Sequence, residues 1–205
     1  MKVLLLNGSP NARGNTYTAL SEMEKVLSAE GFETEMIQIG NLAVRGCLGC
    51  NTCQTTGKCV IDDIVNEIAV KFEACDGIVF GTPVYYGSVN GTLMALLQRL
   101  FFSTKFDKRM KVGASVVVAR RGGLSSTYDE LNKFFGISGM PIVAGQYWNS
   151  LHGLTPGEVK QDPEGMQGMR TLARNMSFLM KSIALGKETI GMPEKEAQLF
   201  TNFIR

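Results

Sequence analysis

Three apolar runs constrain this chain more than any other feature. The runs that open "KVLLLNGSP", "GIVFGTPVYYG" and "KVGASVVVARRGG" show almost no alternation of polar and apolar residues before each passes into a loop. A strand with one wet face alternates, so runs this uniform predict strands covered on both faces. Between them lie stretches whose apolar residues fall at helical spacing, Leu20, Met23 and Leu27, then Ile64, Ile68 and Phe72, and "GTLMALLQRLFF", which reads as an apolar helix. Strands that alternate with helices imply a parallel sheet with helices on both sides. "ETEMIQIG" and "MPIVAGQYWN" are read as two further strands, giving five. Five strands suit an open, doubly wound sheet rather than a closed barrel.

Local signals bound the helices. A helix is expected from Asn15 to Glu30 with Gly31 as its exit, and another after a cap at Asp62 or Asp63. Ser125 and Ser126 read as caps of "SSTYDELNKFF". The longest helix opens with Asp162 as cap and Pro163 in the first turn, and Gly186 suits its end. Met166, Met169, Leu172, Ala173, Met176, Leu179, Met180 and Ile183 form a stripe along it that reads as core packing. Residues 187–205 are a polar stretch with a few apolar side chains, expected to form an arm.

All 205 residues are read as one domain, with no repeat or linker. A net charge of +2 points neither to nucleic acid nor to an anionic membrane surface. "MKVLLLNGSP" meets glycine and proline too early for a signal peptide, so the cytoplasm is the expected compartment. Clustered cysteines there are more often ligands or reactive thiols than disulfides.

In open parallel sheets ligands bind beyond the carboxyl ends of the strands. The loop after the first strand, "NGSPNARGNTYT", is neither a Walker loop nor a dinucleotide fingerprint. It offers Ser9, Asn11, Asn15 and Thr16 just before a helix, with Arg13 beside them. Free N–H groups and short polar side chains at a helix start can cradle a phosphate, although the same residue types also serve as plain caps. The loop after the third strand, "GTPVYYGSVNG", carries Tyr85 and Tyr86, on which a planar ring could lie. "ARRGG" after the fourth offers two arginines and a backbone that can approach a ligand closely.

Taken together, "NGSP...GNT", "GTPVYYGSVNG" and "ARRGG" resemble the NADPH-dependent FMN reductase family, and the similarity extends to "QYWNSLHG" and "VKQDPEG...MRTLARNM". The resemblance implies a flavodoxin-like three-layer sandwich with a five-stranded parallel sheet, and bound FMN. It assigns the phosphate to Ser9, Asn11, Arg13, Asn15 and Thr16. Pro83, Val84, Tyr85, Tyr86 and Gly87 would lie along the isoalloxazine ring, with Ala119, Arg120, Arg121 and Gly122 at its pyrimidine edge. Chemistry centred on the flavin needs no catalytic side chain. The lone histidine, His152, is read as structural, with the flavin pocket as its other possible place.

Four of the five cysteines, Cys47, Cys50, Cys53 and Cys59, follow the spacing C-x2-C-x2-C-x5-C. This is similar to the compact motif of the iron–sulfur flavoproteins, which implies a [4Fe–4S] cluster beside FMN. A zinc site, a thiol redox switch and plain reduced thiols stand as alternatives. Cys75 is read as a small core residue.

The expectation is an FMN-dependent NAD(P)H oxidoreductase, using NADH or NADPH, that reduces a small acceptor such as a quinone, a free flavin or an electrophilic aromatic. The alternative is an electron carrier with FMN and a [4Fe–4S] cluster that takes electrons from ferredoxin. A third is a redox-responsive binding module whose thiols sense oxidant. A flavin open on one face implies a second subunit, hence a homodimer or homotetramer.

Overall fold

The computed structural model describes residues 1–201 and 203. Positions 202, 204 and 205 of the expected arm lie outside the described residues. The first strand, β1 (Lys2–Asn7), leads into α1 (Asn15–Ala29), and β2 (Glu33–Gln38) follows. A long loop then contains one short helical turn, α2 (Cys53–Thr56), before α3 (Ile64–Ala74) and β3 (Gly77–Tyr85). The chain continues through β4 (Ser88–Val89), α4 (Gly91–Ser103), β5 (Val112–Ala119), α5 (Leu124–Ile137) and β6 (Ser150–His152). A 3-10 turn at Glu158–Gln161 precedes α6 (Pro163–Thr189).

Five strands lie side by side in the order β2-β1-β3-β5-β6, all neighbours parallel. This is the flavodoxin-like order, which reverses direction between β1 and β3 and opens a crevice at their carboxyl ends. Alternate residues of each buried strand serve opposite layers. Val3, Leu5 and Val79 face the layer formed by Leu20 and Met23 of α1 with Met169, Leu172 and Met176 of α6. Leu4, Leu6, Ile78 and Phe80 face the other layer, with Ile68 and Phe72 of α3, Leu93 and Leu97 of α4, and Phe135 of α5.

The expected methionine stripe is therefore core. Met169, Leu172, Ala173, Met176 and Met180 are buried, with Met166, Leu179 and Ile183 partly so. Asp63 caps α3 by accepting from the Val65 N–H at 3.1 Å, and Asp162 caps α6 by accepting from the Gly165 N–H at 2.8 Å.

Other local expectations are corrected. The fifth parallel strand is Ser150–His152, not "MPIVAGQYWN"; that segment meets the sheet at a bridge between Ile142 and Gly113 and where the Asn149 carbonyl accepts from the Val117 N–H. α6 runs past Gly186 to Thr189, because nothing local stops it before Ile190 donates to the Gly186 carbonyl. The start of the expected arm is therefore helical. Ser125 and Ser126 lie inside α5, whose cap is Gly123.

Candidate functional site

The loops after β1, β3 and β5 meet at one cleft of about 330 Å³, joined by the segment after β6. Ser9, Asn11, Asn15, Thr16, Pro83, Val84, Tyr85, Ala119 and Arg120 line it, with Gly153, Leu154 and Pro156 on the far side. Arg13, Tyr86, Gly87, Arg121 and Gly122 are not among the lining residues.

α1 begins after Gly14, whose position offers no side-chain cap. Among the described residues the N–H groups of Asn15, Thr16 and Tyr17 have no acceptor, since the first bond of the helix runs from Thr18 to Gly14. Thr16 is buried at the edge of the cleft, and its hydroxyl makes no hydrogen bond among the described residues. Such a helix start carries positive potential and unused donors, which suit a phosphate. Ser9 is oriented by its neighbours: its N–H donates to Asn7 Oδ1 at 3.1 Å, and its Oγ accepts from the Asn11 N–H at 3.2 Å.

Asn15 differs from its expected role. Its Nδ2 donates to the Thr155 carbonyl at 2.9 Å and its Oδ1 accepts from the Val159 N–H at 3.2 Å. The side chain anchors the loop that walls the cleft, leaving only the backbone N–H toward the helix start. Glu158 holds the same loop, accepting from the Leu154 and Thr155 N–H groups, both at 2.7 Å. The bonds from the Thr155 and Leu154 backbone keep its carboxyl below the usual range.

The tyrosines sit on a hairpin that the apolar pattern does not announce. Val84 pairs with Val89 and Tyr85 with Ser88, so Tyr86 and Gly87 form a two-residue turn. Both have positive φ, 51° and 73°, as a type I′ turn requires. Tyr86 is fully exposed. Ser126 Oγ donates to the Gly87 carbonyl at 2.8 Å, and Glu130 accepts from Ser88 Oγ and the Val89 N–H. A Cβ on Gly123 would stand 2.8 Å from the Gly87 Cα, so only glycine lets these two loops touch.

The four clustered cysteines line a second, mainly apolar hollow of about 20 Å³, together with Arg99 and Phe102 of α4. Cys47 and Cys50 are exposed, Cys59 is half-buried and Cys53 is buried. Among the described residues no three His, Cys, Asp or Glu side chains are grouped to hold a single metal ion. Cys75 lies apart in the core, where burial pushes its thiol up to about 11.

Arg99 belongs to no motif, yet it organises this loop. It is 1% exposed. Its Nη1 and Nη2 donate to Asp63 Oδ2 and Oδ1 at 2.6 and 2.9 Å. Nη1 also donates to the Arg45 carbonyl at 3.3 Å, and Nη2 to the Ile61 carbonyl at 3.2 Å. Nε and Nη2 approach Cys59 Sγ at 3.4 and 3.2 Å. Asn66 grips the Cys59 backbone from the other side, accepting from its N–H and donating to its carbonyl, both at 3.1 Å. The signal in the sequence is the single charged residue of a largely apolar helix.

His152 is exposed and lies 3.6 Å from Asp162, in a hollow with Tyr147 and Trp148 rather than in the cleft. No helix among the described residues is long and apolar enough to cross a membrane.

The sheet order and the cleft at its switch point define a flavodoxin-like α/β protein. The chain belongs to the NADPH-dependent FMN reductase family, whose model matches residues 1–154. It is 36% identical over 191 residues to an iron–sulfur flavoprotein of Methanocaldococcus jannaschii, covering 89% of this chain and 99% of that one. An iron–sulfur flavoprotein of Methanosarcina thermophila is 31% identical over 192 residues, covering 92% and 100%. Among solved structures, RosB with bound 8-demethyl-8-formylriboflavin-5'-phosphate superposes with a TM-score of 0.71 at 16% identity, covering 100% of this chain and 92% of that one.

Proposed function

We propose that this flavin oxidoreductase holds FMN in the cleft and a [4Fe–4S] cluster on Cys47, Cys50, Cys53 and Cys59, and passes electrons between a reduced carrier such as ferredoxin and a small acceptor. The observation that carries this reading is that all four cysteines line one hollow, with guanidinium N–H groups directed at one sulfur. Four cysteines are a chemically suitable donor set for a cubane, and N–H donors onto a ligand sulfur suit a cluster site. The unused donors at the start of α1 and the free Thr16 hydroxyl support a flavin phosphate in the cleft. When bound, these groups supply one- and two-electron transfer.

The chain's own residues bind and orient. Ser9, Thr16 and the first N–H groups of α1 hold the phosphate, Pro83 to Tyr85 support the ring, and Arg120 stands at its edge. The open side at Tyr85 and Tyr86 favours closure by a second copy, as a homodimer or homotetramer. The same opening favours a second reading, direct reduction by NADH or NADPH.

Anaerobically purified protein separates the two. Iron and acid-labile sulfide at about four per chain, with rapid reduction by ferredoxin, support the carrier reading. Flavin bands without iron, and rapid bleaching by NADH or NADPH, would replace it with the nicotinamide-dependent oxidoreductase.

A further inference from the structure

A buried guanidinium is costly unless each donor finds an acceptor. Arg99 carries five N–H groups, and the Asp63 carboxylate, the Arg45 and Ile61 carbonyls and Cys59 Sγ account for all of them. Arg45 and Ile61 stand at the two shoulders of the cysteine loop. One side chain from α4 thus draws both shoulders together and turns N–H groups toward one of the four sulfurs. Asp63 takes only two of the five N–H groups, and the Nε–H has Cys59 Sγ as its acceptor.

We propose that Arg99 is a positioning residue: it closes the cysteine loop and raises the reduction potential of the cluster that Cys59 would ligate. The potential-setting role rests on the reading that the four cysteines hold a cluster. Hydrogen bonds to a ligand sulfur favour the more negative, reduced cluster. Burial keeps water from screening that effect. Asp63 orients the guanidinium by a two-point contact, and a lysine cannot fork between a carboxylate and a sulfur.

The test compares the whole chain with its Arg99→Lys and Asp63→Asn variants, purified anaerobically. Asparagine retains the cap on α3, so Asp63→Asn loosens the guanidinium without removing it. The readouts are iron and FMN content and the cluster midpoint potential from a redox titration followed by electron paramagnetic resonance. Arg99→Lys is expected to keep FMN and to shift the potential downward; Asp63→Asn also removes a negative charge beside the loop, which acts in the opposite sense, so that variant is read for iron and FMN content. An unchanged potential in an iron-loaded Arg99→Lys protein overturns the proposal.

If the unaltered protein carries no iron, the cluster reading fails and so does the potential-setting role. The loop-closing role is then read with trypsin, which cuts after Arg45 and Lys58. Cleavage there about tenfold faster in Arg99→Lys supports loop closure, and equal rates overturn it.

Discussion

Asn15 and Thr155 are joined across 140 positions of sequence by a 2.9 Å hydrogen bond from Asn15 Nδ2 to the Thr155 carbonyl. The bond links the start of α1 to the loop after β6, so the two walls of the cleft share one anchor. Asn15→Ala removes this bond and the one from Val159. A loss of about 1–3 kcal/mol is expected in thermal or denaturant unfolding, with FMN affinity roughly tenfold weaker. Unchanged stability and affinity would show that the wall needs no anchor.

In the proposed site Ser9 and Thr16 hold the phosphate. Each hydrogen bond to a charged group is worth about 1.5–3 kcal/mol, so the double change to alanine should weaken FMN binding by roughly 10²–10⁴-fold. Fluorescence titration of the apoprotein measures this. Binding at the unaltered strength would remove both residues from the site.

Tyr86 holds a positive φ of 51° at a turn position where asparagine or glycine is favoured. Tyr86→Asn should stabilise the apoprotein by about 1 kcal/mol, since a bulky L-residue is strained there. If the ring covers the flavin, the same change weakens FMN retention. Equal unfolding midpoints would show that the turn stores no strain.

Cys75 gives an alkaline dependence. Its thiol is raised to about 11 by burial in the folded state, against an ordinary value of 9.0. The unfolded chain therefore loses this proton first. The contribution to stability is complete below about pH 9 and declines as pH rises toward 11, by an amount of order 2–3 kcal/mol. Unfolding midpoints from about pH 8 to 11 should show a decline that Cys75→Ala lacks. The same slope in both proteins would assign it to other groups.

Much of this architecture is legible in the sequence because its causes are local. Uniform apolar runs announce β1, β3 and β5, three- and four-residue steps announce α1, α3 and α6, and an apolar stretch announces α4. Asp63, Asp162 and Pro163 mark helix starts within a turn of themselves. The loops that line the cleft follow from strand order, since a parallel sheet brings the carboxyl ends of its strands together. Only the tertiary structure decided the remainder. It selected Ser150–His152 as the edge strand, folded Tyr86 into a hairpin turn, committed the Asn15 side chain to Thr155, and buried Arg99 against Asp63, Cys59 and Arg45. Most of these depend on a partner distant in the chain, and a hydrogen bond between distant residues leaves no periodic trace in the order of amino acids.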